Sequence, residues 1–170
     1  MAKYNQRLNE QIYESAQGLP ESKINENLGA FFGSILGTLN HILVGDILWL
    51  SRYKTHSCEY KSLLKIDDYP TPNGLNDILY KDVKELYRAR KEIDELLINW
   101  IDEISESDLE RQFLYKNAQG VTSSRNFAEV LSHLFNHQTH HRGQVSTLLS
   151  QFGVDIGVTD FIVDVPNSQA

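Results

Sequence analysis

The chain has little to make a disulfide framework or a nucleic-acid surface. It contains one cysteine, Cys58, which rules out an internal disulfide and points to a reducing, cytoplasmic setting. No run of lysine or arginine occurs, and the net charge of -7 with an isoelectric point near 5.3 argues against a nucleic-acid partner. The opening stretch MAKYNQRLNEQ is polar, so no secretory leader is expected. Only one segment resembles a membrane span, Phe31 to Leu50, whose single formal charge is Asp46. Its Ser34, Thr38, Asn40 and His41, with basic residues at one end only, suit a helix buried in a protein core better than a lipid-facing one. No membrane partner is expected.

What is present is a length of 170 residues with 41% apolar content, enough for one domain, 1–170, with a proper core. Apolar periodicity divides it into four long helices. Residues 3–17 carry Tyr4, Leu8, Ile12 and Ala16 at helical spacing, closed by Gly18 and Pro20. Leu28 to Tyr53 forms the second. Lys54 to Asn76 reads as a long connection, with a turn at PTPNG. The third helix repeats Leu79, Val83, Leu86, Arg90, Ile93, Leu97, Trp100 and Ile104 as a seam, and Arg90 on it is expected to bury its stem and reach solvent. LERQFLYKNAQGVT then suggests a hairpin with Phe113 and Tyr115 on one face. The last helix has Asn126 and Glu129 placed as a capping box and Gly153 as its stop. The tail beyond is expected to pack outside and fray at its end. With no internal repeat, the expected fold is an all-α four-helix bundle with a long crossover between its second and third helices.

The last helix, VLSHLFNHQTHHRGQVSTLLSQF from Val130 to Phe152, holds four of the six histidines. At 3.6 residues per turn His137 and His141 lie about 40° apart on successive turns, and His133 and His140 fall within about 60° of His137. Phe127, Val130, Leu134, Val145, Leu148 and Phe152 share that face, so the imidazoles lie on the buried side. A core helix with neutral, hydrogen-bonded histidines is the plain alternative. Several buried rings without partners would cost a few kcal/mol each, whereas a metal ion satisfies one nitrogen of each. Two HxxxH pairs are open, His133/His137 and His137/His141, of which the second is preferred.

On the second helix the only histidine is His41, with Ser34, Gly37, Gly45 and Arg52 within about 40° of it. Glycines above and below His41 imply either close helix contact or room for a ligand, contact being the commoner cause. His41, His137 and His141 then offer three neutral nitrogens from facing helices. Three ligands leave positions open, the pattern of sites that polarise a substrate or activate water. Imidazole suits zinc, nickel, iron and copper alike, so the ligand chemistry does not choose among them; zinc or nickel is the expectation, with iron next. His56 and Cys58 form an HxC pair on a loop, a weak metal pattern. No glutamate follows in the HExxH manner, since Gln138 stands there and cannot take a proton. Gln144 could orient water or substrate, and Arg142 and Asp46 could form an inter-helix pair behind the ligands.

His41 followed by Asp46 and Trp49, the YKNAQG stretch, and NHQTHHRGQ from Asn136 to Gln144 resemble the DinB/YfiT-like proteins across nearly the whole chain. The resemblance implies an up-down-down-up four-helix bundle, a homodimer, and a divalent metal on the positions matching His41, His137 and His141. It also implies kinship with thiol-dependent transferases and isomerases that use low-molecular-weight thiols. The family name reflects induction by DNA damage in some members and says little about chemistry. A dimer is expected independently, because Phe31 to Leu50 is apolar on more faces than one bundle can bury. Two function classes follow: a metal-dependent transferase or hydrolase acting on a small molecule, and a non-catalytic stress-response protein in which the ion staples the helices or senses a ligand. A pocket beside His41 favours the first, and an ion enclosed by protein ligands the second.

Overall fold

The computed structural model describes residues 1–117 and 119–167. Ala118, in the expected NAQG turn, and the last three residues, where fraying was expected, lie outside them. The chain is mostly helical with one small antiparallel sheet. In order it runs α1 (Ala2–Gln17), a single turn α2 (Glu21–Ile24), α3 (Ile35–Tyr53), a 3-10 segment Ser62–Asp68, α4 (Val83–Ile101) and a short α5 (Glu106–Glu110). Strands β1 (Gln112–Lys116) and β2 (Thr122–Asn126) follow, then α6 (Phe127–Ser150) and a 3-10 turn Phe161–Asp164. Helix α1 packs on α4 and α6, and α3 packs on α6 and α4. No helix among the described residues is long and apolar enough to cross a membrane.

Helix ends fall where local chemistry satisfies free backbone groups. The last helix starts as expected, with the Asn126 side chain accepting from Glu129 N. It ends at Ser150, and the turn after it closes at Gly153, whose φ of 73° lets Gly153 N reach Ser150 O while Val154 N reaches Leu149 O, a Schellman arrangement. The start of α3 differs from the expectation at Leu28. Gly29 and Gly33 adopt φ of 71° and 77° in a tight turn, and Ser34 Oγ accepts from Gly37 N, so the helix begins at Ile35. Likewise α4 begins at Val83, because Asp82 caps Lys84 N and Glu85 N, and it ends at Ile101, leaving Leu79 and Ile104 outside. The hairpin forms with Gln112 opposite Asn126, and Phe113 and Tyr115 stack on one face at 5.3 Å.

One aromatic cluster sets the register between α3, α4 and α6. Tyr53, Trp100, Phe113 and Phe127 are buried together, with Tyr53 stacked on Trp100 at 4.9 Å and its hydroxyl donating to Val130 O at 2.7 Å. Burying each such ring stabilises by about 2 to 3 kcal/mol. The cluster therefore fixes the far ends of α3 and α6, and with them the heights of His41 and His137. Nearly all of α3 from Ile35 to Ile47 is buried within one chain, so its apolar surplus is absorbed without a second copy. The tail lies along α1, where Tyr4 donates to Thr159 O and Arg7 pairs with Asp164.

Candidate metal centre

His41 on α3 and His137 and His141 on α6 converge, with one ligand nitrogen from each within 4.8 Å of the others. The Nε2 of His41 stands 3.1 Å from Nε2 of both His137 and His141. Gly45, one turn along α3 from His41, makes the approach possible: a Cβ there would lie 2.8 Å from His137 Cε1. Close contact thus accounts for this glycine, and the thing it contacts is a histidine of the cluster. Gly37 has a different neighbour, the Phe32 carbonyl, which would sit 2.1 Å from an added Cβ.

The outer nitrogens fix the tautomers. His41 Nδ1 is 2.9 Å from Leu75 O, and a carbonyl can only accept, so Nδ1 carries the proton and Nε2 is bare. His141 Nδ1 donates to Gln144 Oε1 at 2.8 Å, leaving its Nε2 bare as well. Two lone pairs therefore face each other at 3.1 Å with no proton between them, and His137 Nδ1 is buried without a hydrogen-bond partner among the described residues. That arrangement is repulsive by itself and attractive around a cation. Two nitrogens bound to zinc at about 2.0–2.1 Å and the tetrahedral angle stand roughly 3.3–3.4 Å apart, within a few tenths of an ångström of the spacing here. The residues fit a divalent ion.

Burial keeps the rings neutral, as ligands must be. It lowers His41, His141 and His137, and His137 is pushed down to about 3 by burial and by the neighbouring imidazoles. Phe32, delivered by the turn between Gly29 and Gly33, stacks on His41 at 3.7 Å and stands edge-on to His141 at 5.5 Å.

The other candidates take separate places. His133 does not join the three nitrogens; it meets Trp49 edge-on and lines a cavity of about 510 Å³ together with His41, His137, Arg52, Tyr115 and the Pro72–Leu75 loop. His140 is exposed and receives Gln144 Nε2 at 3.2 Å. Gln144 orients His141. His56 stacks on Phe127 at 4.2 Å and its Nε2 faces Asp108 O, while Cys58 is exposed, so the HxC pair does not converge.

Behind the imidazoles lies a buried polar network drawn from all four long helices. Asp46 pairs with Arg90 and accepts from Gln138 Nε2 at 2.9 Å. Arg90 Nη2 lies 2.9 Å from Asp94, close enough for charge pairing though not aligned as a hydrogen bond, and Asn9 donates to Asp94 at 3.0 Å. Gln138 Oε1 accepts from Arg142 at 3.1 Å and from Asn5, and Arg142 also donates to Asn5. Arg142 and Asp46 therefore meet through Gln138 rather than directly. The solvent-reaching role expected of Arg90 is overturned, since this arginine is fully buried and salt-bridged on both sides. Burial opposes its charge, but Asp94 and Asp46 outweigh that and hold its pKa above the usual value. Burial lowers Arg142 to about 10. Asn5, Asn9, Asp94, Phe32 and the Leu75 carbonyl were not singled out from the sequence. The one available sign was a pair of asparagines spaced four apart on the apolar side of α1.

A family model described as DinB family matches residues 1–167. Protein DinB of Bacillus subtilis (strain 168) is similar at 23% identity over 160 residues, covering 93% of this chain and 87% of its own. No solved structure matches the chain.

Proposed function

The chain belongs to the DinB family, and from that premise we propose that His41, His137 and His141 hold one divalent ion in an enzyme that joins a low-molecular-weight thiol to a small electrophile. Zinc or nickel suits the all-imidazole set, with iron next. The observation that carries the catalytic part is the cavity of about 510 Å³ that reaches two of the three histidines. A purely structural ion would be walled off by protein ligands, whereas here substrate-sized space adjoins the site.

When bound, the ion would lower the pKa of a thiol and stabilise its anion. The chain supplies the rest. Leu75 O and Gln144 hold His41 and His141 in the tautomer that presents Nε2. Phe32 covers one side of the cluster, and Trp49 and Tyr115 give the pocket an apolar wall that limits water. In the reaction the sulfur–carbon bond forms as the bond from that carbon to the leaving atom breaks, the electron pair goes to a departing halide or to the tethered oxygen of an opened epoxide, and the thiol proton passes to water or to that oxygen.

One observation favours a second, non-catalytic reading. The three histidines come from two helices, so an ion there would cross-link α3 to α6 and serve as a staple or a ligand sensor. Screening metal-loaded protein with several thiols against alkyl halides and epoxides separates the two. Catalysis predicts product formation that needs both ion and thiol and vanishes in His141→Ala. Absence of thiol consumption across the screen, with a large fall in melting temperature on chelation, favours the staple.

The packing of α1, α3, α4 and α6 supports reading residues 1–170 as one up-down-down-up four-helix domain. Burial of α3 within one chain removes the apolar-surface reason for a second copy, and it is the family resemblance that supports our further proposal of a cytoplasmic homodimer, for which light scattering should give twice the chain mass.

A further inference from the structure

Arg52 lies in the last turn of α3, on the stripe that carries His41 and Gly45, and it lines the cavity beside the histidines. Its guanidinium rests 4.7 Å from the Trp49 ring and 5.9 Å from the Tyr115 ring, and these two rings are 5.3 Å apart. Among the described residues no carboxylate forms a salt bridge with it, and no acidic side chain lines the cavity. Burial lowers its pKa, and the opposing influences come from Tyr115 and Tyr53, neither of them a carboxylate. The two most buried arginines, Arg90 and Arg142, sit in a network holding two carboxylates, whereas Arg52 lies over Trp49 and lines a pocket with no carboxylate among the described residues.

A stacked arginine presents the edge of a planar fork, which matches a carboxylate in a two-bond grip. We infer that Arg52 anchors a carboxylate of the small molecule that enters the histidine pocket, making the substrate class an anionic one. This rests on the reading of that pocket as the substrate site. The spacing acts as a ruler. Eleven residues at 1.5 Å rise separate the Cα atoms by about 16 Å, and since both side chains lean toward the helix N-terminus the guanidinium stands on the order of 10–15 Å from the imidazole cluster. The ligand therefore carries its carboxylate several bonds from its reacting atom. The carboxylate can belong to the thiol or to the electrophile.

The test uses ω-mercapto acids of three, six and eight carbons, each beside its uncharged amide, and ω-bromo acids with their amides as a second arm. Binding is followed by quenching of Trp49, which touches Arg52, in metal-free and cobalt-loaded protein. Cobalt absorbance reports on the thiol end independently. Wild-type protein should bind the six- or eight-carbon acid about tenfold more tightly than its amide, and the three-carbon acid with little preference. Arg52→Met should remove the preference while changing amide affinity less than twofold, and Arg52→Gln checks that the result is not a folding defect. A preference in the bromo arm alone assigns the carboxylate to the electrophile. The proposal is overturned if wild type does not distinguish acid from amide, or if both variants keep the distinction. Carboxylate selectivity that survives in metal-free protein, together with no cobalt uptake, would leave Arg52 in place and contradict the metal centre alone.

Discussion

Two stripes of α6 differ by a single residue in register and have opposite chemistry. His137 and His141 form one, Gln138 and Arg142 the other, about 100° further round the helix. The second stripe faces inward to α1 and, through Asp46, to α4, where two arginines meet two carboxylates and two asparagines and most polar atoms find partners inside the chain. The first faces His41, with the bare Nε2 atoms of His41 and His141 turned toward one another, and through His137 it reaches a cavity. A buried polar cluster whose charges balance internally holds helices in place. One whose lone pairs converge without a proton has the donor set of a cation site. The contrast separates scaffold from site more sharply than burial does, since His41 at 4% exposure is nearly as enclosed as Asp46 at 1%.

If the comparison holds, the two stripes should fail differently. The largest effect belongs to the network: Asp46→Ala would leave Arg90 buried with half its counter-charge, at a cost of about 3–5 kcal/mol in urea denaturation. Replacing both Asp46 and Arg90 with apolar residues should recover much of that loss. An Asp46→Ala protein within about 1 kcal/mol of wild type would show that water, not the network, satisfies Arg90. Next comes Gly45→Ala, where the new Cβ must push the His137 ring away from a 2.8 Å contact. Metal affinity by calorimetry should fall about ten- to a hundredfold, as expected when a ligand's orientation is disturbed. An unchanged affinity would mean the ring has room to move.

The helix stripes and the three histidines were legible because they depend on spacing along the chain, which sequence displays directly. Asn126 and Gly153 marked the ends of α6 for the same reason. The partner of Arg90 was not legible: periodicity places it on the seam, yet says nothing of Asp46 and Asp94 reaching it from two helices. Nor could spacing choose between the two HxxxH pairs. In the fold it is His141 rather than His133 that comes within reach of His41 and His137, a convergence that needs the packing of α3 against α6. The early start assigned to α3 has a similar origin, since Leu28 to Ser34 is apolar enough to continue a helix while Gly29 and Gly33 turn it.

A smaller effect should appear with pH. His41, His56, His133, His137 and His141 are all lowered by burial, so the folded chain stays neutral where the unfolded chain takes up protons. The sign follows: stability is retained above the unfolded value of roughly 6.5 and lost as pH falls below it. The metal-free melting temperature should drop between about pH 7 and 5. The loaded protein should drop more steeply and approach the metal-free curve, because the ion binds only the neutral rings. Melting curves that keep a constant separation across that range would mean the ion is not held by imidazole.

Elemental analysis of folded variants after dialysis against limiting zinc tests the three-histidine centre most directly. Wild type and His133→Ala should each retain about one ion per chain, and His41→Ala, His137→Ala and His141→Ala should each lose it. Loss in His133→Ala with retention in His141→Ala would move the ion to the other pair, and full occupancy in His137→Ala would contradict the centre altogether.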